Sequence, residues 1–208
     1  MGPHVDHIIY AVRDLDAAAS RFEHEFGLGS VEGGRHPGWG TANRIVPLGR
    51  SYVELVAVVD ASEAAGSTFG HWVGAAARQH DRLLGWALAT SDIEDAARRL
   101  NLAVTPGSRT RLDGVTVKWR LAGLHHAINH NAFPFFIQWE TPPELHPGMA
   151  MADHRVTPRG IGWVEVAADE HPLRDWLRDL EEPVRINAGV PKLSAVGIAI
   201  EAGEIVLR

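Results

Sequence analysis

The chain has 208 residues, a formal net charge of −6 at pH 7 and no cysteine. Without cysteine it has no disulfide, no thiolate metal ligand and no cysteine nucleophile. The negative charge argues against non-specific nucleic-acid binding, and no apolar run is long enough to predict a membrane span. Because the N-terminus shows no signal-peptide pattern, we expect a cytoplasmic protein.

The first sixty residues predict a βαβββ unit, in which the helix and three of the strands can be assigned. Residues 5–12 have the apolar composition of a strand, and Asp14 is a candidate N-cap for a helix over residues 15–26. A glycine-rich loop is predicted over residues 33–43. Two further strands are then expected around residues 44–47 and 51–59.

The same order of elements returns later in the chain. Residues 7–16 and 85–94 share a short apolar run, a polar break with an aspartate, and the start of an amphipathic helix. The sequence predicts a connecting helix over 68–80, a second helix over 92–100, and strands near 108–111, 116–121 and 134–140. We therefore expect a first module over residues 4–60, a connecting helix within 61–82, a second module over 83–142 and a partial third module over 158–208.

Three segments resemble the glyoxalase-like domain proteins of the vicinal oxygen chelate superfamily: Val5–Val12, Arg35–Asn43 and Phe135–Glu140. That superfamily includes glyoxalases, bleomycin-resistance proteins and extradiol dioxygenases. The resemblance implies an α+β fold in which paired βαβββ modules form a curved half-barrel sheet around a cavity. It also implies a divalent ion, held by one first-strand residue and one last-strand residue from each module.

Carried onto this sequence, the ligand pattern is incomplete. His7 and Glu54 match the first module, and alignment of the second places Gln138 opposite Glu54 and Gly85 opposite His7. His7, Glu54 and Gln138 are thus candidate ligands for Zn, Mn, Fe, Co or Ni. Gly85 offers no donor. A hydrogen bond between His7 and Glu54 would satisfy both groups without metal, so a cofactor-free site is equally plausible.

The Arg35–Asn43 segment contains candidate substrate-binding residues: Arg35, His36, Trp39 and Asn43. An arginine can bind a carboxylate or phosphate through two hydrogen bonds, and an indole can cover an apolar or planar group. Alternatively, the segment is only a glycine-rich connector. Glu140 alternates with Gln138 along its strand, so it is a candidate general base if that face lines the cavity. Its alternative place is the solvent-exposed end of the strand.

A histidine-rich insert precedes the last strand of the second module. His125, His126 and His130 could supply the ligand that is missing at Gly85, because such tracts can bind metal. The alternative is that they are loop histidines without that role.

Two functions remain open at this point. The first is a metal-dependent enzyme of the lyase or isomerase type that acts on a small oxygenated, anionic substrate. The second is a metal-free protein that binds or sequesters a small molecule, as bleomycin-resistance proteins do. Both halves of the expected cavity lie in one chain, so a monomer or a homodimer would serve, with no nucleic-acid or membrane partner.

Overall fold

The computed structural model describes residues 2–110 and 114–208. The first module contains β1 (His4–Ala11), α1 (Leu15–Phe26), β2 (Val31–His36), β3 (Thr41–Pro47) and β4 (Tyr52–Val58). The connection contains α2 (Ala61–Ala65) and α3 (Thr68–Ala77). The second module contains β5 (Arg82–Ala89), α4 (Ile93–Leu100), β6 (Val104–Thr110), β7 (Thr116–Ala122), α5 (Leu124–Asn129) and β8 (Phe135–Trp139). The expected α+β fold with paired βαβββ modules is confirmed. Arg111, the last residue of the strand predicted near 108–111, lies outside the described residues.

The elements from residue 158 onward form a smaller sheet and one helix. They are β9 (Pro158–Ala167), α6 (Glu170–Trp176), β10 (Val184–Asn187), β11 (Lys192–Ile200) and β12 (Gly203–Leu207). The strand order in this sheet is β10-β9-β11-β12, and β11 packs against β5 of the larger sheet. Within the described ranges, no helix is both long enough and apolar enough to cross a membrane.

The repeated polar breaks begin equivalent helices. The carboxylate of Asp14 accepts a hydrogen bond from the amide of Ala17 at the start of α1, and Asp92 accepts one from Asp95 at the start of α4. Each bond satisfies an amide that has no partner within its helix. Both helices therefore begin at the same point of their modules.

The larger sheet has the strand order β2-β3-β4-β1-β5-β8-β7-β6. The modules meet where β1 pairs antiparallel with β5, with Ile9 opposite Gly85 and His7 opposite Ala87. In each module the first strand runs parallel to the last, β1 with β4 and β5 with β8. The edge strands β2 and β6 approach each other, so the curved sheet nearly closes around its inner face.

Each face of the sheet buries its own apolar cluster. On the inner face, Phe69, Trp72 and Val73 of α3 belong to one cluster with Ile9 and Ala87. The outer face packs against α1, α4 and the smaller sheet. Alternate residues of each strand face opposite sides, so β1 contributes to both clusters.

Two segments expected to be loops are regular structure. Residues 33–43 form most of the β2–β3 hairpin, with the turn at residues 37–40. Two of the glycines that indicated a loop allow close packing: a Cβ on Gly33 would lie 2.0 Å from Asn43 Oδ1, and one on Gly40 would lie 2.3 Å from the amide nitrogen of Ala64. The histidine-rich insert likewise forms the short helix α5.

Candidate active site

A cavity of about 70 Å³ lies on the inner face of the larger sheet. Much of its wall is aromatic, and Trp39, Phe69, Trp119, Phe135 and Trp139 contribute to it. Its polar side chains are His7, His36, Asn43, Tyr52, Glu54 and Arg109. These groups come from β1, β2, β3, β4 and β6, so the cavity depends on both modules.

Asp6 is a fully buried carboxylate beside the cavity. The β1–β5 register shifts between Val5 and His7, which makes Asp6 the extra residue of a bulge. The carboxylate contacts His7 Nδ1 at 2.6 Å, accepts a hydrogen bond from Trp139 Nε1 at 2.9 Å and contacts His146 Nε2 at 3.1 Å. Burial alone would raise the pKa of Asp6, but the hydrogen bonds from His146 and His7 hold it well below its usual range.

The ionised Asp6 fixes the orientation of His7. A carboxylate can only accept hydrogen bonds, so His7 Nδ1 must carry the proton that it donates to Asp6. In the neutral imidazole, Nε2 then keeps its lone pair. Nε2 lies 4.0 Å from Glu54 Oε2, and the His7 ring stacks on Tyr52 with 4.7 Å between ring centroids.

The Asn43 amide connects the remaining polar groups. Its nitrogen donates to Glu54 Oε1 at 2.5 Å and lies 3.2 Å from His36 Nε2, and its oxygen accepts from Arg109 Nη1 at 2.8 Å. Both amide hydrogens and the amide oxygen are therefore used. Asn43 holds one oxygen of Glu54 and leaves Oε2 facing His7.

His36 completes this network from the end of β2. Its Nδ1 lies 2.9 Å from Thr41 Oγ1, and its Nε2 faces the Asn43 amide and lies 3.6 Å from Glu54 Oε1. Burial lowers the pKa of His36; the Glu54 charge opposes this shift, and the Arg109 charge adds to it. A neutral ring that donates through Nδ1 to Thr41 and accepts at Nε2 from the Asn43 amide would make both contacts.

Tyr52 and Arg109 are cavity residues that sequence reasoning missed. Burial, followed by the charges of Asp6 and Glu54, raises the pKa of Tyr52 well above its ordinary value, so its hydroxyl remains a proton donor. Arg109 is only 9% exposed. Asp6 and His146 were missed as well; the one available signal was the acid directly before His7 in an apolar run.

The expected substrate-binding residues do not all reach the cavity. His36, Trp39 and Asn43 line it, whereas Arg35 is exposed and lies outside it. Arg35 and His36 are neighbours on β2, so their side chains leave opposite faces. The anion-binding role expected of Arg35 is therefore not supported by its position.

Gln138 and Glu140 face away from the cavity. Gln138 Oε1 accepts a hydrogen bond from the amide of Ile93 at the start of α4, and the Glu140 side chain is 46% exposed and lies 3.1 Å from Arg120 Nε. The two side chains share a face, as expected, but Phe135, Ile137 and Trp139 are the β8 residues that line the cavity. The expected roles of Gln138 as ligand and Glu140 as general base are corrected on this ground.

Residues 5–181 match the glyoxalase-like domain family. The chain belongs to this family. The resemblance to the vicinal oxygen chelate superfamily is thereby confirmed, and the paired modules agree with it. Among curated proteins, none matches the chain.

The chain is also similar to solved structures. A hypothetical protein from Staphylococcus aureus matches with a TM-score of 0.70 and 19% identity, over 99% of each chain. A methylmalonyl-CoA epimerase from Mycobacterium tuberculosis matches with a TM-score of 0.47 and 19% identity, over 68% of this chain and 89% of that one. At 19% identity, the likeness to the Staphylococcus aureus protein concerns the fold alone.

In this glyoxalase-like chain the second module lacks both of the metal ligands that the superfamily places there. The β1–β5 register makes Gly85 the counterpart of His7, as expected, and a Cβ there would lie 2.5 Å from Cη2 of Trp72. By the same correspondence, Ala87 is the counterpart of Ile9. Ile9 pairs with Glu54 between β1 and β4, and Ala87 pairs with Phe135 between β5 and β8, so Phe135 is the counterpart of Glu54. An indole and a phenyl ring thus stand where the superfamily places two ligands.

The donor set does not fit the four-ligand site of the superfamily. His7 Nε2 and Glu54 Oε2 are available, but Glu54 Oε1 and His36 Nε2 are engaged by Asn43. Across residues 2–110 and 114–208, no three histidine, aspartate or glutamate side chains are arranged to hold a metal ion. His125, His126 and His130 line an adjoining outer groove and not the cavity itself, so they do not replace the ligand missing at Gly85.

Proposed function

We propose that this glyoxalase-like protein is an enzyme of the isomerase or lyase type that moves a proton on a small oxygenated, anionic substrate. The observation that carries the proposal is the pair His7 Nε2 and Glu54 Oε2, 4.0 Å apart and facing one cavity. A hydrogen bond on the far side of each group fixes its orientation: Asp6 binds His7 Nδ1, and Asn43 binds Glu54 Oε1. Orienting contacts of this kind are typical of catalytic acids and bases.

The geometry suits abstraction of a proton from carbon beside a carbonyl group. Glu54 or His7 takes the proton, and the electron pair of the broken C–H bond moves onto the carbonyl oxygen. Tyr52 lines the cavity and its hydroxyl stays protonated, so we assign to it the hydrogen bond to that oxygen. An isomerase then returns this proton to carbon, either from the group that took it or after its transfer to the other group of the pair, whereas a lyase uses it to protonate a group that leaves from the neighbouring carbon.

The cavity also limits which part of a substrate reacts. Its volume of about 70 Å³ accommodates a small head group. An outer groove of about 790 Å³ shares Trp39, Phe69, Leu121 and Leu124 with it. A substrate with a small reacting end and a longer tail would occupy both spaces.

Hydrogen–deuterium exchange tests the proposal directly. Small 2-oxo and 3-oxo acids are incubated with the protein in D₂O, and loss of the proton beside the carbonyl is followed by NMR. We expect enzyme-dependent exchange that Glu54→Gln and His7→Gln each reduce at least 100-fold, consistent with the contribution of one acid or base. Glu140→Gln is the matched control and should exchange like the wild type, because Glu140 lies outside the cavity.

The same assay tests dependence on metal. We expect exchange to persist in EDTA, because the site offers only half of the superfamily's donors. If EDTA abolished exchange and Zn²⁺ or Mn²⁺ restored it, His7 and Glu54 would instead be ligands. If no acid exchanged under any condition, proton transfer would be rejected.

The second candidate is a metal-free protein that binds or sequesters a small molecule. The aromatic wall of the cavity, with Trp39, Trp119 and Phe135 among its residues, favours it. Tight binding of a small molecule that the protein leaves unchanged, with no proton exchange in any acid of the panel, would decide for this candidate.

A further inference from the structure

Arg109 is a buried cation that the proton-transfer scheme does not use. It lies on β6, and its side chain reaches the cavity from the second module. Among the described residues, its Nε has no hydrogen-bond partner and no carboxylate forms an ion pair with it. A buried guanidinium is costly unless an anion or several acceptors surround it.

The chain makes specific room for this side chain. A Cβ on Gly33 would lie 2.8 Å from Arg109 Nη1 and 2.0 Å from Asn43 Oδ1. β2 therefore has no side chain at the point where Arg109 meets Asn43. The Arg109–Asn43 contact is 2.8 Å and buried.

Asn43 sets the distance between Arg109 and the acid–base pair. Its oxygen faces Arg109 and its nitrogen faces Glu54, so one amide separates the cation from the carboxylate. This arrangement keeps Glu54 from closing an ion pair with Arg109. Arg109 can then attract an anion from the ligand while Glu54 acts on an adjacent carbon.

We propose that Arg109 recognises a carboxylate of the substrate and thereby selects small carboxylic acids over their neutral analogues. The inference rests on the proposed function for the reacting carbon, but it concerns binding alone. A guanidinium offers two parallel donors to a carboxylate, and the buried Arg109 Nε is a donor without a partner among the described residues. The exposed Arg35 has no part in this recognition.

Matched acid and amide probes test this assignment. Mandelate with mandelamide, and lactate with lactamide, have the same shape within each pair and differ in charge. Binding is followed by calorimetry and by tryptophan fluorescence, since Trp39, Trp119 and Trp139 line the cavity. We expect the wild type to bind at least one acid tenfold or more tightly than its amide.

Variants separate recognition from structural support. Arg109→Met should bring the acid-to-amide affinity ratio close to one, and Arg109→Lys should retain part of the preference because it keeps the charge. Arg35→Met should keep the full ratio. If Arg109 only held Asn43 in place, Arg109→Met would weaken acid and amide equally, and the proposal would be overturned.

Glu54→Gln separates this inference from the proposed function. It should abolish proton exchange and keep the preference for acids. If the wild type bound acids preferentially but catalysed no proton exchange, the role of Arg109 would stand and the proposed enzymatic function would be rejected. If the wild type showed no preference for either acid, including no binding of either, the role of Arg109 would be rejected whatever the exchange result.

Discussion

Asp6 shows how one buried carboxylate can hold several site residues in place. Its two oxygens contact ring nitrogens of His7, Trp139 and His146. His146 Nδ1 in turn accepts the amide of Gly148, so the His146 ring connects β1 to the segment that follows β8. The position of His7 is therefore coupled to residues more than a hundred positions away in the sequence.

Asp6→Asn should lower the free energy of unfolding and the rate of proton exchange together. The amide nitrogen of the asparagine is itself a donor and would face one of the three groups that donate to Asp6. We therefore expect the free energy of unfolding to fall by about 2 kcal/mol. Urea unfolding measures it. Asp16→Asn is the control, because the Asp16 side chain is 90% exposed and its pairing with Arg44 contributes little. Equal stability of Asp6→Asn and wild type would show that the contacts of Asp6 are not needed for the fold.

The buried His36 predicts a specific dependence of stability on pH. Its folded-state pKa lies below 6.5, chiefly because of burial, whereas in the unfolded chain it titrates near 6.5. Below that pH the unfolded state binds more protons, so the contribution of His36 to stability falls as the pH falls. Glu54 and Arg109 are the charged groups that modify this shift.

His36→Gln should remove that contribution. As the pH is lowered from 7.5 to 5.5, we expect the unfolding free energy of the wild type to fall relative to that of the variant. Urea unfolding at several pH values measures this difference. A difference that is constant over the range, or that grows in favour of the wild type at low pH, would contradict the prediction.

At the scale of elements, the β2–β3 hairpin connects backbone packing to the site. Gly33→Ala should displace Asn43 and Arg109, because the added Cβ would lie 2.0 Å from Asn43 Oδ1. We expect a loss of about 1–3 kcal/mol in unfolding free energy, typical of overpacking, and reduced affinity for acids. Gly162→Ala on β9 is the matched strand control, since its nearest heavy atom would lie 3.6 Å away. An acid affinity unchanged in Gly33→Ala would show that the hairpin tolerates a side chain there.

The elements were predictable from the sequence because their signals are local. The caps at Asp14 and Asp92 and the alternation of apolar residues are readable within a few positions. β2 was missed because Gly33 and Gly34 normally indicate a loop. Here Gly33 instead accommodates Asn43 and Arg109.

The site was predictable only in its first module. His7, His36, Trp39, Asn43 and Glu54 were all identified, and all line the cavity. Gln138 and Glu140 were misplaced because the face that a strand turns inward depends on its register, and a shift of one residue reverses it. The place of Arg109 in the cavity could not be predicted from the sequence, because it depends on the approach of β6 to β2 around the curved sheet.

At the scale of the whole molecule, the smaller sheet completes the outer face of the larger one. Trp176 at the end of α6 is 6% exposed, donates its Nε1 hydrogen to the carbonyl of Pro134 and stacks on Phe136 of β8. Val164 and Ile198 of the smaller sheet belong to the same buried cluster as Ile8 and Trp86 of the larger. The two sheets thus share one core.

A shared core predicts that both sheets unfold together. Urea unfolding of the wild type should give one transition with the same midpoint by far-ultraviolet circular dichroism and by tryptophan fluorescence. Trp176→Ala should lower the unfolding free energy by about 3–5 kcal/mol, through the lost burial and the lost hydrogen bond to Pro134. Because Trp176 packs against β8, that loss should shift the single transition and not create a second one. Two separated transitions in the wild type would show that the smaller sheet folds as an independent unit and that the cavity does not depend on it.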